Sequence, residues 1–182
     1  MAVVLLENGR IVDRYQSLMN AGLVIPAYSE AFTGISTAMI RKAPPVAEVM
    51  QALAEFVGDL PLVAHNASFD SMFLDAEWQR IRKKRKQQFA CSMLLARRIY
   101  PLAPNHKLAT LVNYLGLPTS GRYHRALADA EMTAHLLLKL ASDLKQKYSL
   151  SSVPHEILRA LQKAPKAQIH CCAEHAKRKL GL

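Results

Sequence analysis

Hydrophobic and polar positions alternate or cluster along this chain in a way that predicts an ordered series of elements. Ala2–Leu6 and Ile11–Leu18 are β-rich runs separated by Glu7-Asn8-Gly9-Arg10. Asn-Gly tolerates the two positive φ angles of a tight turn, so the chain opens on an antiparallel hairpin. Residues 20–43 read as loop with short helical pieces around Thr33-Gly34-Ile35. After Pro44-Pro45, the apolar positions Val46, Val49, Met50, Leu53 and Phe56 recur at helical spacing up to Gly58. Leu60–Ala64 is wholly apolar and short, the mark of a buried strand.

A helix over about Ser68–Lys84 follows, with Phe69, Met72, Phe73, Ala76 and Ile81 expected on its inner side. Phe89–Ser92 reads as a second buried strand, Met93–Tyr100 and Lys107–Leu115 as helices. Ala126–Lys147 is a long helix with Leu127, Ala130, Ala134, Leu137, Leu138 and Leu144 turned inward. A hairpin followed by alternating strands and helices describes an α/β sheet covered by helices. Residues 1–148 form one domain on this reading. Residues 149–182 are a linker, one short helix near His155–Lys163 and a loose basic end.

Composition narrows the class. The 182 residues are 51% hydrophobic, which argues against wholesale disorder. No apolar run reaches the ~18–20 residues that span a bilayer, so no membrane role is expected. The N-terminal residues MAVVLLENGR carry no basic leader or cleavage site, and three cysteines make no disulfide framework, which suits a cytoplasmic location. The net charge of +10 is uneven: residues 1–60 carry −2, 61–100 +5, 101–150 +3 and 151–182 +4. Such a balance makes nucleic acid the first partner to consider. The steepest cluster is Arg80–Lys86, with six cations in seven residues; as a helix end it complements the dipole, and it could also meet phosphates. His170, Cys171, Cys172 and His175 lack the two-pair spacing of structural zinc sites.

Two segments carry candidate chemistry. Ala64-His65-Asn66-Ala67-Ser68-Phe69-Asp70 lies where a buried strand gives way to a helix, and a carboxylate there points toward the crevice in which α/β folds bind ligands. His124-Arg125-Ala126-Leu127-Ala128-Asp129 opens the long helix, leaving an imidazole and a carboxylate in one neighbourhood. Each segment alone reads equally as ordinary helix-start chemistry.

Together, Asn66-x-x-x-Asp70 and His124-x-Ala126-x-x-Asp129 resemble two motifs of the DnaQ-like 3′–5′ exonucleases with a histidine base (DEDDh), the family of the proofreading epsilon subunit of bacterial DNA polymerase III. Supporting matches include Glu7-Asn8-Gly9, Thr33-Gly34-Ile35, Ala43-Pro44-Pro45, Leu95–Arg98 and His106-Lys107-Leu108. The resemblance implies an RNase H-like mixed sheet flanked by helices, with two divalent ions, Mg²⁺ or Mn²⁺. By position it makes Asp70 and Asp129 metal ligands and His124 the general base. Asn66 and Phe69 would shape the mouth of the site. His65, beside them, is a further candidate nucleic-acid contact, although by spacing His65, His106 and His135 read as structural. The implied substrate is a single-stranded or frayed DNA 3′ end, in proofreading or repair, with a DNA polymerase as partner. An RNA-trimming enzyme and a catalytically inactive nucleic-acid-binding or polymerase-docking module are the alternatives.

The family's first motif, an Asp-x-Glu on the central strand, has no match, because this sequence begins inside the second strand. Asp75-Ala76-Glu77 and Asp129-Ala130-Glu131 share the spelling but sit in predicted helices, where positions i and i+2 diverge by about 200°. With Asp70 and Asp129 alone, turnover is expected to fall by orders of magnitude, and the sheet loses its middle strand. A downstream start codon, a truncated form and an inactive descendant each account for the gap.

Overall fold

The computed structural model describes residues 1–119 and 125–181. In chain order its elements are strands β1 (Ala2–Glu7) and β2 (Arg10–Gln16), helices α1 (Ala27–Thr33), α2 (Thr37–Arg41) and α3 (Val46–Val57), strand β3 (Leu62–Ala64), helix α4 (Ala67–Arg80), strand β4 (Phe89–Cys91), and helices α5 (Ser92–Ile99), α6 (Leu108–Tyr114), α7 (Ala126–Tyr148), α8 (His155–Leu161) and α9 (Ile169–Leu180). The chain divides into two compact units, one formed by residues 1–60, 72–86 and 119–131, the other by 61–71, 87–118 and 132–182.

In the first unit β1 and β2 pair antiparallel from Ala2↔Gln16 to Glu7↔Arg10, with one irregularity between Leu5 and Leu6. Asn8 (φ 50°) and Gly9 (φ 77°) supply the two positive angles that the turn demands. The hairpin is tied to α3 by Tyr15, whose hydroxyl donates to the Val49 carbonyl at 2.8 Å and whose ring lies 5.7 Å from that of Phe56. Helix α3 buries Val49, Met50 and Leu53 of the predicted stripe together with Val57, while Val46 and Phe56 are only partly covered. From α4 this unit buries Leu74, Glu77 and Trp78.

In the second unit β3 and β4 pair in parallel, Leu62↔Phe89 through Ala64↔Cys91. Among the described residues the strands thus form two separate two-stranded sheets. The core collects Ala90, Leu95 and Ala96, then Leu111, then Leu136, Leu140 and Leu144 of α7.

Three local expectations need correction. Phe69 and Met72 are 64% and 67% exposed and Ala76 is exposed as well, rather than inward, because the apolar residues of α4 lie on several faces and periodicity cannot choose among them. Helix α7 buries Ala134 and Leu144 as expected, but its main buried row is Ala128, Met132, Leu136, Leu140, Leu144 and Tyr148, whereas Leu127, Ala130, Leu137 and Leu138 are only partly covered. A row of i, i+4 positions winds slowly around a helix, so no single 3.6-residue face describes it. The loose end is also absent. Residues 149–182 form α8, a 3₁₀ turn at Lys166–Gln168 and α9, and they place Ile157, Leu158, Leu161, Ile169, Ala173 and Ala176 in the same core.

Candidate functional site

The junction between β3 and α4 is built by one sharp turn. Asn66 adopts φ +70°, a left-handed conformation that asparagine tolerates better than most residues, and it reverses the strand directly into a helix. The Phe69 N–H donates to the Asn66 carbonyl at 3.1 Å, and the Ser68 hydroxyl donates to Asn66 Oδ1 at 3.4 Å. Asp70 therefore falls in the first turn of α4, just past the C-terminal end of a parallel strand. It is half-buried, and desolvation raises its carboxyl above the usual range, partly offset by a hydrogen bond from its own backbone N–H. Such a carboxylate gains from a nearby cation. Phe69 presents its ring to solvent. A shallow depression of about 270 Å³ opens beside the turn, lined by Asn66, Ser68 and Ser71 and by Phe89, Met93 and Leu94.

His65 spends both ring nitrogens inside the protein. Nε2 lies 2.9 Å from the His106 carbonyl, and Nδ1 lies 2.9 Å from the hydroxyl of buried Ser92. A carbonyl only accepts, so Nε2 carries the proton and Nδ1 accepts from Ser92. Burial, with Coulombic repulsion from His106 and Arg97, holds the imidazole below its ordinary pKa despite the bond to His106. Of the two readings open for His65, these bonds support the structural one. His106 is held in turn, its Nε2 donating to the Tyr100 carbonyl at 3.1 Å.

The other candidate segment belongs to the first unit. His124 lies outside the described residues. Asp129 sits in the first turn of α7, half-buried, its N–H donating to the Arg125 carbonyl at 3.0 Å. Arg125 donates to the carbonyl of Gly34 at 3.2 Å, which ties the start of α7 to the Thr33-Gly34-Ile35 segment. A carboxylate in a helix's first turn is favoured by the dipole, so Asp129 has a structural role independent of any metal.

Both Asp-x-Glu lookalikes lie in helices, as their spacing predicts, and their acids are engaged elsewhere. Asp75 accepts a two-pronged bond from Arg85 at 2.9 and 2.8 Å, Glu77 pairs with Arg80 at 2.8 Å, and Glu131 pairs with Arg14 at 2.6 Å. Among the described residues no group of three or more His, Cys, Asp or Glu is placed to hold a metal ion, the Cys171, Cys172 and His175 neighbourhood included. No helix there is long and apolar enough to cross a membrane.

Each unit thus carries one acid in the first turn of a helix, Asp70 in the second and Asp129 in the first. Residues 1–137 match the family model described as Exonuclease, and the chain belongs to that family. It is 36% identical over 149 residues to the DNA polymerase III PolC-type protein of Bacillus subtilis, a match covering 81% of this chain and 10% of that one. It is 33% identical over 151 residues to the DNA polymerase III epsilon subunit of Aquifex aeolicus, covering 82% and 74%. A solved structure of exonuclease X in complex with 5′ overhanging duplex DNA superposes with a TM-score of 0.62 at 27% identity, covering 82% of each chain. The chain thus spans about a tenth of the PolC-type relatives' length.

Proposed function

We propose that this chain is a 3′–5′ exonuclease domain of the proofreading type, acting on single-stranded or frayed DNA 3′ ends. The observation that carries it is the seating of Asp70, a desolvated carboxylate delivered by the Asn66 turn to the end of β3, in a chain that matches the exonuclease family over residues 1–137. The PolC-type and epsilon relatives support a replicative setting with a DNA polymerase as partner.

Carboxylate oxygens fit hard divalent cations, so Asp70 and Asp129 would hold Mg²⁺ or Mn²⁺. When bound, such ions supply charge where the attacking and leaving oxygens become negative. The chain's own groups do the rest. His124 would take the proton of the attacking water. The exposed ring of Phe69 would stack on the terminal base, and Asn66, which lines the depression at the turn, would contact the sugar-phosphate chain. The bonds of His65 to Ser92 and His106 hold the end of β3 in register with that turn.

The test is release of mononucleotides from a 3′-labelled single strand with Mg²⁺ or Mn²⁺, comparing the chain with Asp70→Asn, Asp129→Ala and His124→Ala. Activity lost in all three supports the reading, and activity no greater than that of Asp129→Ala ends it. Independently of turnover, Mn²⁺ should raise the thermal midpoint of the chain and leave that of Asp70→Asn unmoved.

A further inference from the structure

We propose that the loop after α4, carrying Arg82, Lys83 and Lys84, is an anchoring site for nucleic-acid backbone phosphates, separate from the carboxylate site. The proposal deepens the nuclease reading and rests on it for the identity of the polyanion.

The sequence suggests a simpler role, in which this basic run merely complements a helix dipole. The structure removes that explanation for most of it. Helix α4 ends at Arg80, the one cation in its last turn, and Arg80 is already paired with Glu77. The dipole's influence fades within that turn. Beyond it Arg82 takes φ +58°, a left-handed conformation that favours glycine, while its N–H donates to the Gln79 carbonyl at 3.0 Å and the Lys83 N–H donates to the Trp78 carbonyl at 2.8 Å. The helix end is therefore closed, and the chain leaves it in a set direction.

The far side of the loop is tied as well. Arg85 reaches back ten residues to clamp Asp75 through both Nε and a terminal nitrogen. Between these two ties the side chains of Arg82, Lys83 and Lys84 are exposed, and among the described residues no ion pair engages them. Three adjacent like charges repel one another, and here they are presented from a fixed backbone.

The surroundings select the occupant. Protein interfaces build a core of aromatic and aliphatic side chains and are poor in lysine. Here Arg82, Lys83, Lys84, Lys86 and Gln88 are all exposed and offer no apolar anchor. Phosphates need none, because release of condensed counterions supplies the affinity.

The test is fluorescence anisotropy of a labelled single-stranded oligonucleotide with the full chain in EDTA, which prevents cleavage, over a salt titration. Arg82→Gln/Lys83→Gln/Lys84→Gln should weaken binding about tenfold or more near 0.1 M salt and make the log–log salt slope shallower by about 2, three contacts at ~0.7 each. A charge-matched variant, Lys166→Gln/Arg178→Gln/Lys179→Gln, should change far less, and circular dichroism should show both folded. Equal losses in the two variants would mean a diffuse field and overturn the site, as would an unchanged loop variant or no binding by the parent chain. Displacement by polyglutamate as effective as by oligonucleotide of equal charge would assign the loop to an acidic protein and also overturn it. Because binding is read without metal or turnover, failure of the nuclease assay and failure of this site are separate results.

Discussion

The side-chain carbonyl of Gln162 accepts the backbone N–H of Cys91 at 2.5 Å, while its amide donates to the Phe89 carbonyl at 3.2 Å. Phe89 and Cys91 are two apart on β4, so these groups point to the same edge, the one β3 leaves open. One glutamine at the end of α8 thus pairs with this edge as a neighbouring strand would. This is why the C-terminal segment is part of the fold: it covers a sheet edge that would otherwise carry unpaired backbone groups.

Gln162→Leu keeps the volume and removes both bonds, leaving a buried N–H and a carbonyl orphaned. The expected loss is about 2–4 kcal/mol, since one unsatisfied buried group costs roughly 1–3. Urea unfolding monitored by circular dichroism should show a lower midpoint with an unchanged slope.

Truncation after Leu150 should do more. It deletes Ile157, Leu161 and Ala173, each fully buried in the second unit, along with the Gln162 bonds. The expected product lacks a cooperative thermal transition, whereas a chain with a dispensable tail would keep the parent midpoint.

His65 should give stability a pH dependence. Its folded pKa lies below the ordinary 6.5, so the unfolded chain binds the proton more readily. The contribution is complete above pH 6.5 and is lost as pH falls through the folded value. Thermal midpoints should therefore decline on the acid side of pH 6.5 in the parent and decline less in His65→Gln. Parallel curves for the two proteins would show that the His106 and Ser92 bonds do not depend on the neutral imidazole.

How much of this was legible beforehand varies with the range of the interaction. The hairpin turn at Asn8-Gly9, the span of α3 and the strand–helix junction at Asn66 are local, and spacing alone finds them. The seating of Asp70 past a strand end follows from that junction. The inward faces of α4 and α7 are not legible locally, because α4 spreads its apolar residues over several faces and the buried row of α7 winds around the helix, so only tertiary packing selects the side. The Gln162 bonds span about 70 residues and have no local signature. The Arg125 bond to Gly34 crosses 91 residues. The Thr33-Gly34-Ile35 segment stood out in the sequence without showing what it would meet.

Asp70 predicts a trade between stability and activity. Its folded pKa is raised by burial, so its favourable contribution is present below pH 3.8 and lost as pH rises through the folded value. In metal-free buffer Asp70→Asn should be more stable than the parent at pH 7, and the difference should shrink as pH approaches 4. The same substitution should abolish nucleotide release. Equal stability at pH 7 would mean that the carboxylate carries no desolvation cost.

Arg82 sets two demands against each other at one position. A non-glycine residue at φ +58° costs roughly 1 kcal/mol relative to glycine, and a helix ending in this conformation favours glycine there. Arg82→Gly should therefore stabilise the chain by up to about 1 kcal/mol, read as a higher urea midpoint, because the backbone bonds from Arg82 and Lys83 to Gln79 and Trp78 remain available. It should also remove one phosphate contact and make the salt slope of oligonucleotide binding shallower by about 0.7. Stability and affinity would then move in opposite directions from a single substitution. A gain in stability with no change in slope would leave the arginine as an unfavourable helix terminator, and the phosphate contacts would have to come from its lysine neighbours alone.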